Sequence, residues 1–150
     1  MATTDMKPPA LYINTHAVDP QASSTFYQAL SFTPVPAYSD ASTTQCLLLP
    51  SPNDSICLFL HSRDRIRDFL RPGTGPNDAR ASTETLLALS CDSRAQVDDW
   101  LRRAVEAGGQ ADPFVVEGHG AKHGMYSRSF ADLDGHIWEV LCYLPQPEGS

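Results

Sequence analysis

One pattern is written twice along this chain, and it limits the possible folds more than any other feature. Each half reads as a strand, a helix and three further strands. The first half opens with an apolar run over 11–17. Asp19-Pro20 then starts a helix: the Asp accepts from free backbone N–H groups, and the Pro suits the first helical position. Ala22, Phe26, Ala29 and Leu30 recur on one face of that helix. Extended segments are predicted over 33–38, 43–49 and 56–61, with Ser51-Pro52-Asn53-Asp54 turning between the last two. The second half repeats the order. A strand over 85–91 leads to a helix start at Asp92-Ser93. Val97, Trp100, Leu101, Ala104 and Val105 form that helix's apolar face, and Gly108 ends it. Strands are predicted over 111–116, 124–130 and 136–143. A short helix over 64–70, with Ile66, Phe69 and Leu70 on one side, precedes a turn-rich loop over 71–82.

A strand-helix-three-strand unit leaves one sheet face uncovered. Two such units can bury helices on one side and curl the sheet around a cavity on the other. The chain is therefore expected to be a single α+β domain over 10–144. Module one spans 10–62, a linker 63–83 and module two 84–144, with tails at 1–9 and 145–150. Its 150 residues suffice for one core. A net charge of −7 argues against nucleic-acid phosphates or an anionic membrane as partners. No apolar run reaches the length of a membrane span, and the start lacks the pattern of a signal peptide. Cys46, Cys57, Cys91 and Cys142 are far apart, without a C-x-x-C pair, and read as reduced, buried thiols of a cytoplasmic protein.

The strongest local signal lies near the C-terminus. Asp132-Leu133-Asp134-Gly135 is a tight-turn sequence between two apolar strands, and the second carries one carboxylate, Glu139, among Ile137, Trp138, Val140 and Leu141. A half-buried strand does not hide a Glu without a reason. Glu139 is the leading candidate for a general acid or base. By strand alternation Tyr12, Asn14 and His16 share one face, a polar wall able to orient a ligand. Tyr126, Arg128 and Phe130 alternate likewise; Arg128 either clamps an anionic ligand group or pairs with Glu139 or Asp132. His119 and His123 fall in a glycine-rich stretch that reads either as a lid supplying an imidazole or as a solvated loop. His61 is read as structural or exposed and His136 as exposed, while Trp100, Trp138, Val140 and Cys142 are read as core. No nucleophile triad, phosphate-binding loop or dinucleotide fingerprint is present in the pattern.

The doubled βαβββ order, the Phe26-Tyr27 pair on the first helix and the run Asp132-Leu133-Asp134-Gly135-His136-Ile137-Trp138-Glu139-Val140 resemble the vicinal oxygen chelate superfamily. That group holds glyoxalase I, bleomycin-resistance proteins, fosfomycin-modifying enzymes and extradiol dioxygenases. The resemblance implies an open eight-stranded cup with function inside it. It also implies four inward positions that hold a divalent metal in family enzymes. Here they fall on Tyr12, Leu58, Leu86 and Glu139, of which only Glu139 is a good ligand. The expectation is a small-molecule enzyme without the usual metal tetrad, doing lyase or isomerase-type chemistry. Glu139 and His16 would be catalytic, and Tyr12, Asn14, His123, Tyr126 and Arg128 substrate-binding. No cofactor is expected. The alternatives are a bleomycin-resistance-like binding protein, and a glyoxalase-like lyase in which His16, His119 or His123 joins Glu139 at a displaced divalent metal. The expected assembly is a homodimer.

Overall fold

The computed structural model describes residues 9–146; the expectations for 1–8 and 147–150 lie outside them. The chain divides into two compact units, one ending at Pro76 and the other beginning at Asn77.

Module one consists of β1 (Leu11–His16), α1 (Pro20–Ala29), β2 (Thr33–Pro34), β3 (Thr44–Leu48), β4 (Ile56–His61) and a short α2 (Arg63–Ile66). Its sheet has the order β1-β4-β3-β2, with β1 parallel to β4 and the remaining pairs antiparallel. Asp19 caps α1 as the sequence suggests: its carboxylate accepts from the N–H groups of Gln21 and Ala22 at 3.0 and 3.1 Å. Alternation sends Leu47, Leu58 and Leu60 to one side of the sheet, where α1 presents Phe26, Tyr27 and Leu30. None of these six side chains is more than 2% exposed. Burial of each contributes about 1.5–3 kcal/mol.

Module two repeats the plan with β5 (Leu86–Ser90), α3 (Arg94–Glu106), β6 (Gln110–Ala111), α4 (His119–Lys122), β7 (Met125–Ala131) and β8 (Ile137–Tyr143). The sheet order is β5-β8-β7-β6, with β5 parallel to β8. Ser93 caps α3 by accepting from Gln96 N at 3.2 Å. Val97, Leu101 and Ala104 face a sheet surface carrying Phe130, Trp138 and Val140, all buried. Asp132 accepts from the N–H groups of Asp134 and His136, both at 2.9 Å, and Gly135 takes a φ of +92° in the turn that joins β7 to β8.

Several sequence expectations need correction. The strand over 33–38 stops after Pro34 and becomes a 3-10 turn, Pro36–Tyr38. Two prolines lacking N–H groups cannot extend a ladder. The strand over 111–116 reduces to Gln110–Ala111 because Asp112 takes a φ of +45° and Pro113 follows. The glycine-rich stretch is not a plain loop but contains α4. The expected linker gives α2 to module one, where Ile66 is buried. His136 and Cys91 are half-buried rather than exposed and buried, respectively; Cys46, Cys57 and Cys142 are buried, and all four thiols are free. No helix among the described residues is long and apolar enough to cross a membrane.

Candidate functional site

On β8 the helix side takes Trp138, Val140 and Cys142, so alternation turns Glu139 to the opposite face. There it borders a cavity of about 420 Å³ built entirely from module two. The walls are mostly apolar: Leu86 from β5, Met125 from β7, Leu144, and the exposed run Phe114-Val115-Val116 between β6 and α4. The Glu139 side chain is 16% exposed, and two groups approach the same oxygen. Ser127 Oγ, on the matching face of β7, donates to Glu139 Oε1. His119 Nε2 lies 3.5 Å from that atom. The His123 ring sits edge-on to that of His119, with 5.7 Å between centroids.

The approach of α4 depends on glycine. Gly118 opens the helix at a φ of +70°. A Cβ on Gly120 would lie 2.6 Å from the Met125 carbonyl oxygen, so only glycine lets α4 rest against β7 and bring His119 to Glu139.

Tyr126 and Arg128 alternate with Ser127 and turn to α3. The Tyr126 hydroxyl donates to Asp98 Oδ1 at 2.6 Å. Arg128 donates to Asp112 Oδ2 at 2.6 Å and to Asp98 Oδ1 at 3.2 Å. Arg128 thus pairs with neither Glu139 nor Asp132; the strand places it on the other face. The Tyr126 hydroxyl, with the Arg128 charge, holds the Asp98 carboxyl below its usual range. The bond to Asp112 holds Arg128 above its own. Both residues still border the cavity.

Module one gathers a different set. Tyr12 and Asn14 share the sheet face away from α1 with Phe59 and His61. His61 Nε2 donates to Asn14 Oδ1 at 2.8 Å, which leaves Nδ1 to accept from Thr44 Oγ1 at 2.9 Å. The Phe59 ring stacks on His61 at 5.5 Å and meets Tyr12 at 5.7 Å. His61 is 2% exposed, so of the two sequence readings the structural one holds. Burial pushes its pKa down, the Arg65 charge adds to this and Asp40 opposes it. His16 ends β1, in register with His61. The structure therefore brings Tyr12 and Asn14 together on module one; on module two it sets Tyr126, Arg128 and Glu139 around the cavity, with His123 against the His119 ring and not on the cavity wall. The sequence marks neither Ser127 nor Phe114-Val115-Val116 as a site residue by type; for Ser127 the signal is the β7–β8 alternation that sets it on the Glu139 face.

The backbone also corrects one carried-over position. Ala17 N donates to His61 O as Cys91 N donates to Leu141 O, so the modules superpose with His61 on Leu141. Two residues back, the partner of Glu139 is Phe59, which lies opposite Asn14 as Glu139 lies opposite Ala88. Leu58 points into the α1 core instead. The four positions that the resemblance implies are then Tyr12, Phe59, Leu86 and Glu139. Two hydrocarbon side chains offer no donor atom, so a divalent metal does not fit this set. Among the described residues no three His, Cys, Asp or Glu side chains are grouped to hold a metal ion.

The sequence matches no family model and no curated protein. Solved structures do match its fold. A glyoxalase-related enzyme from Fulvimarina pelagi is 22% identical with a TM-score of 0.67, covering 92% of this chain and 88% of its own. A lactoylglutathione lyase from Agrobacterium tumefaciens is 20% identical with a TM-score of 0.61, covering 91% and 96%. FosX, a fosfomycin resistance protein from Listeria monocytogenes, is 16% identical with a TM-score of 0.59, covering 91% and 94%. Two βαβββ modules in one chain, matched along nearly the whole length of these proteins, give this chain the fold of the glyoxalase/bleomycin resistance/dioxygenase proteins.

Proposed function

We propose that module two houses a small-molecule active site in which Glu139 moves a proton, as general acid or base of a lyase or isomerase-type reaction. The observation that carries this reading is a single carboxylate facing an apolar cavity of about 420 Å³, with Ser127 donating to Oε1 and His119 Nε2 lying 3.5 Å from it. Ser127 fixes the carboxylate rotamer. His119 supplies a second proton-carrying group at the same oxygen. The donor set described above favours chemistry that needs no metal at the family position.

The test is hydrogen–deuterium exchange, followed by NMR in D2O, at carbons next to the carbonyl of compact ketones and aldehydes. The protein should accelerate exchange in at least one of them, and Glu139→Gln should reduce that acceleration by at least about 100-fold. Equal exchange with wild type and variant across the set would remove the reading. A compound that binds and is recovered without exchange would point to a binding protein of the bleomycin-resistance type.

We infer also that the protein is a homodimer. β1 and β5 pair on one side only, and they expose Leu11, Tyr12 and Leu86 along sheet edges that a second copy would cover. Four free thiols fit a reducing compartment such as the cytoplasm.

A further inference from the structure

The charges around the module-two cavity are not equally available, and the imbalance selects a ligand. Four titratable side chains border it: Arg94, His119, Arg128 and Glu139, besides Tyr126. Arg128 is fully engaged by two carboxylates, Asp112 at 2.6 Å and Asp98 at 3.2 Å. Arg94 lies over the Tyr126 ring, 4.9 Å from its centroid, and its charge acts on Asp98. Arg128 is thus balanced by Asp98 and Asp112, while Arg94 is held on the Tyr126 ring with its charge acting on Asp98. Glu139 differs. Its Oε1 accepts from Ser127 and has His119 Nε2 3.5 Å away, and Oε2 makes no hydrogen bond among the described residues. A carboxylate oxygen in an apolar wall, with little of the side chain exposed, gains most from a charged donor.

We propose that this cavity selects a compact apolar ligand bearing a cationic amine, with the ammonium on Glu139 Oε2 and the hydrocarbon against Phe114, Val116, Met125 and Leu86. The proposal rests on the reading that the cavity is a ligand site, and adds the charge of the ligand. A carboxylate or phosphate ligand would meet the one unbalanced charge of its own sign, and neither arginine could turn to it without abandoning an aspartate or an aromatic ring.

Phenethylamine, phenethyl alcohol and phenylacetate share one apolar body and differ in charge. Their binding is compared by NMR titration at about pH 8, where an alkylamine is a cation and a carboxylic acid an anion. The amine should bind at least about 10-fold tighter than the alcohol, with phenylacetate weakest. Glu139→Gln should erase the amine's advantage over the alcohol. A preference for phenylacetate, or no preference among the three, would overturn the inference while leaving a ligand site. Failure of all three to bind would remove the ligand site as well. Should the variant not fold, the wild-type ranking decides alone.

Discussion

Ser127 and His61 show how one polar contact, half-buried in module two and buried in module one, sets the character of each module. Ser127 holds the Glu139 carboxylate; replacing it with Ala should preserve folding but weaken any Glu139-dependent exchange by about 10-fold, since a mis-aimed base loses reach rather than basicity. His61 has a pH signature. It is buried and bonded as the neutral imidazole, and its folded pKa lies below the ordinary 6.5. The unfolded chain therefore takes up this proton first as pH falls. The contribution to stability is complete above about pH 6.5 and is lost as pH drops from there through the folded pKa. Melting temperatures at about pH 7.5 and pH 5.5 should fall together with acid in the wild type, and fall less in His61→Gln. An equal fall in both would show that His61 is not the titrating group. Leu58 makes the opposite point. Transferred by resemblance to a ligand position, it is instead 1% exposed against α1, and Leu58→Ala should cost about 2–5 kcal/mol in a denaturant melt.

At the scale of elements, the long amphipathic helices and the apolar strands were legible because their periods differ and because Asp19 and Ser93 mark the helix starts. The wall of the candidate site was not. Phe114-Val115-Val116 has strand-like composition, yet Asp112 at positive φ and Pro113 withdraw it from the ladder, and the exposed run serves the cavity instead. A helix as short as His119–Lys122 leaves no periodicity to read, and what holds it in place is a close backbone approach that only coordinates reveal. That approach can be tested. Gly120→Ala puts a methyl group 2.6 Å from the Met125 carbonyl oxygen, so α4 must lift from β7. The expected loss is about 1–3 kcal/mol of stability, and the His119 ring resonances should move as though Glu139 had been removed. Unchanged His119 resonances would mean that α4 does not position the imidazole.

At the scale of the whole molecule, the doubled pattern was legible in the sequence because each module carries its own helix cap, turn signals and apolar faces. The register that relates the modules was not, because a one-residue slip in an apolar strand such as β4 leaves its composition unchanged while exchanging its faces. Only the hydrogen bonds from Ala17 and Cys91 fix it. The same topology bears on assembly. In both sheets the first strand of the module lies at an edge, paired on its other side to the last strand. Leu11 is 51% exposed on one of these edges and Leu86 49% on the other. Edge strands left open with apolar side chains tend to recruit another chain, and proteins that stay single usually charge them. Neither strand carries a Lys or Arg. The proposed homodimer covers these edges, so sedimentation at micromolar concentration should give twice the mass of one chain. Leu11→Lys adds a charge to the β1 edge at a half-exposed side chain that does not line the module-two cavity. It should shift the equilibrium to single chains while leaving the far-UV circular dichroism unchanged. A wild-type protein that sediments as a single chain would remove the dimer. A Leu11→Lys protein that remains paired would place the contact away from β1.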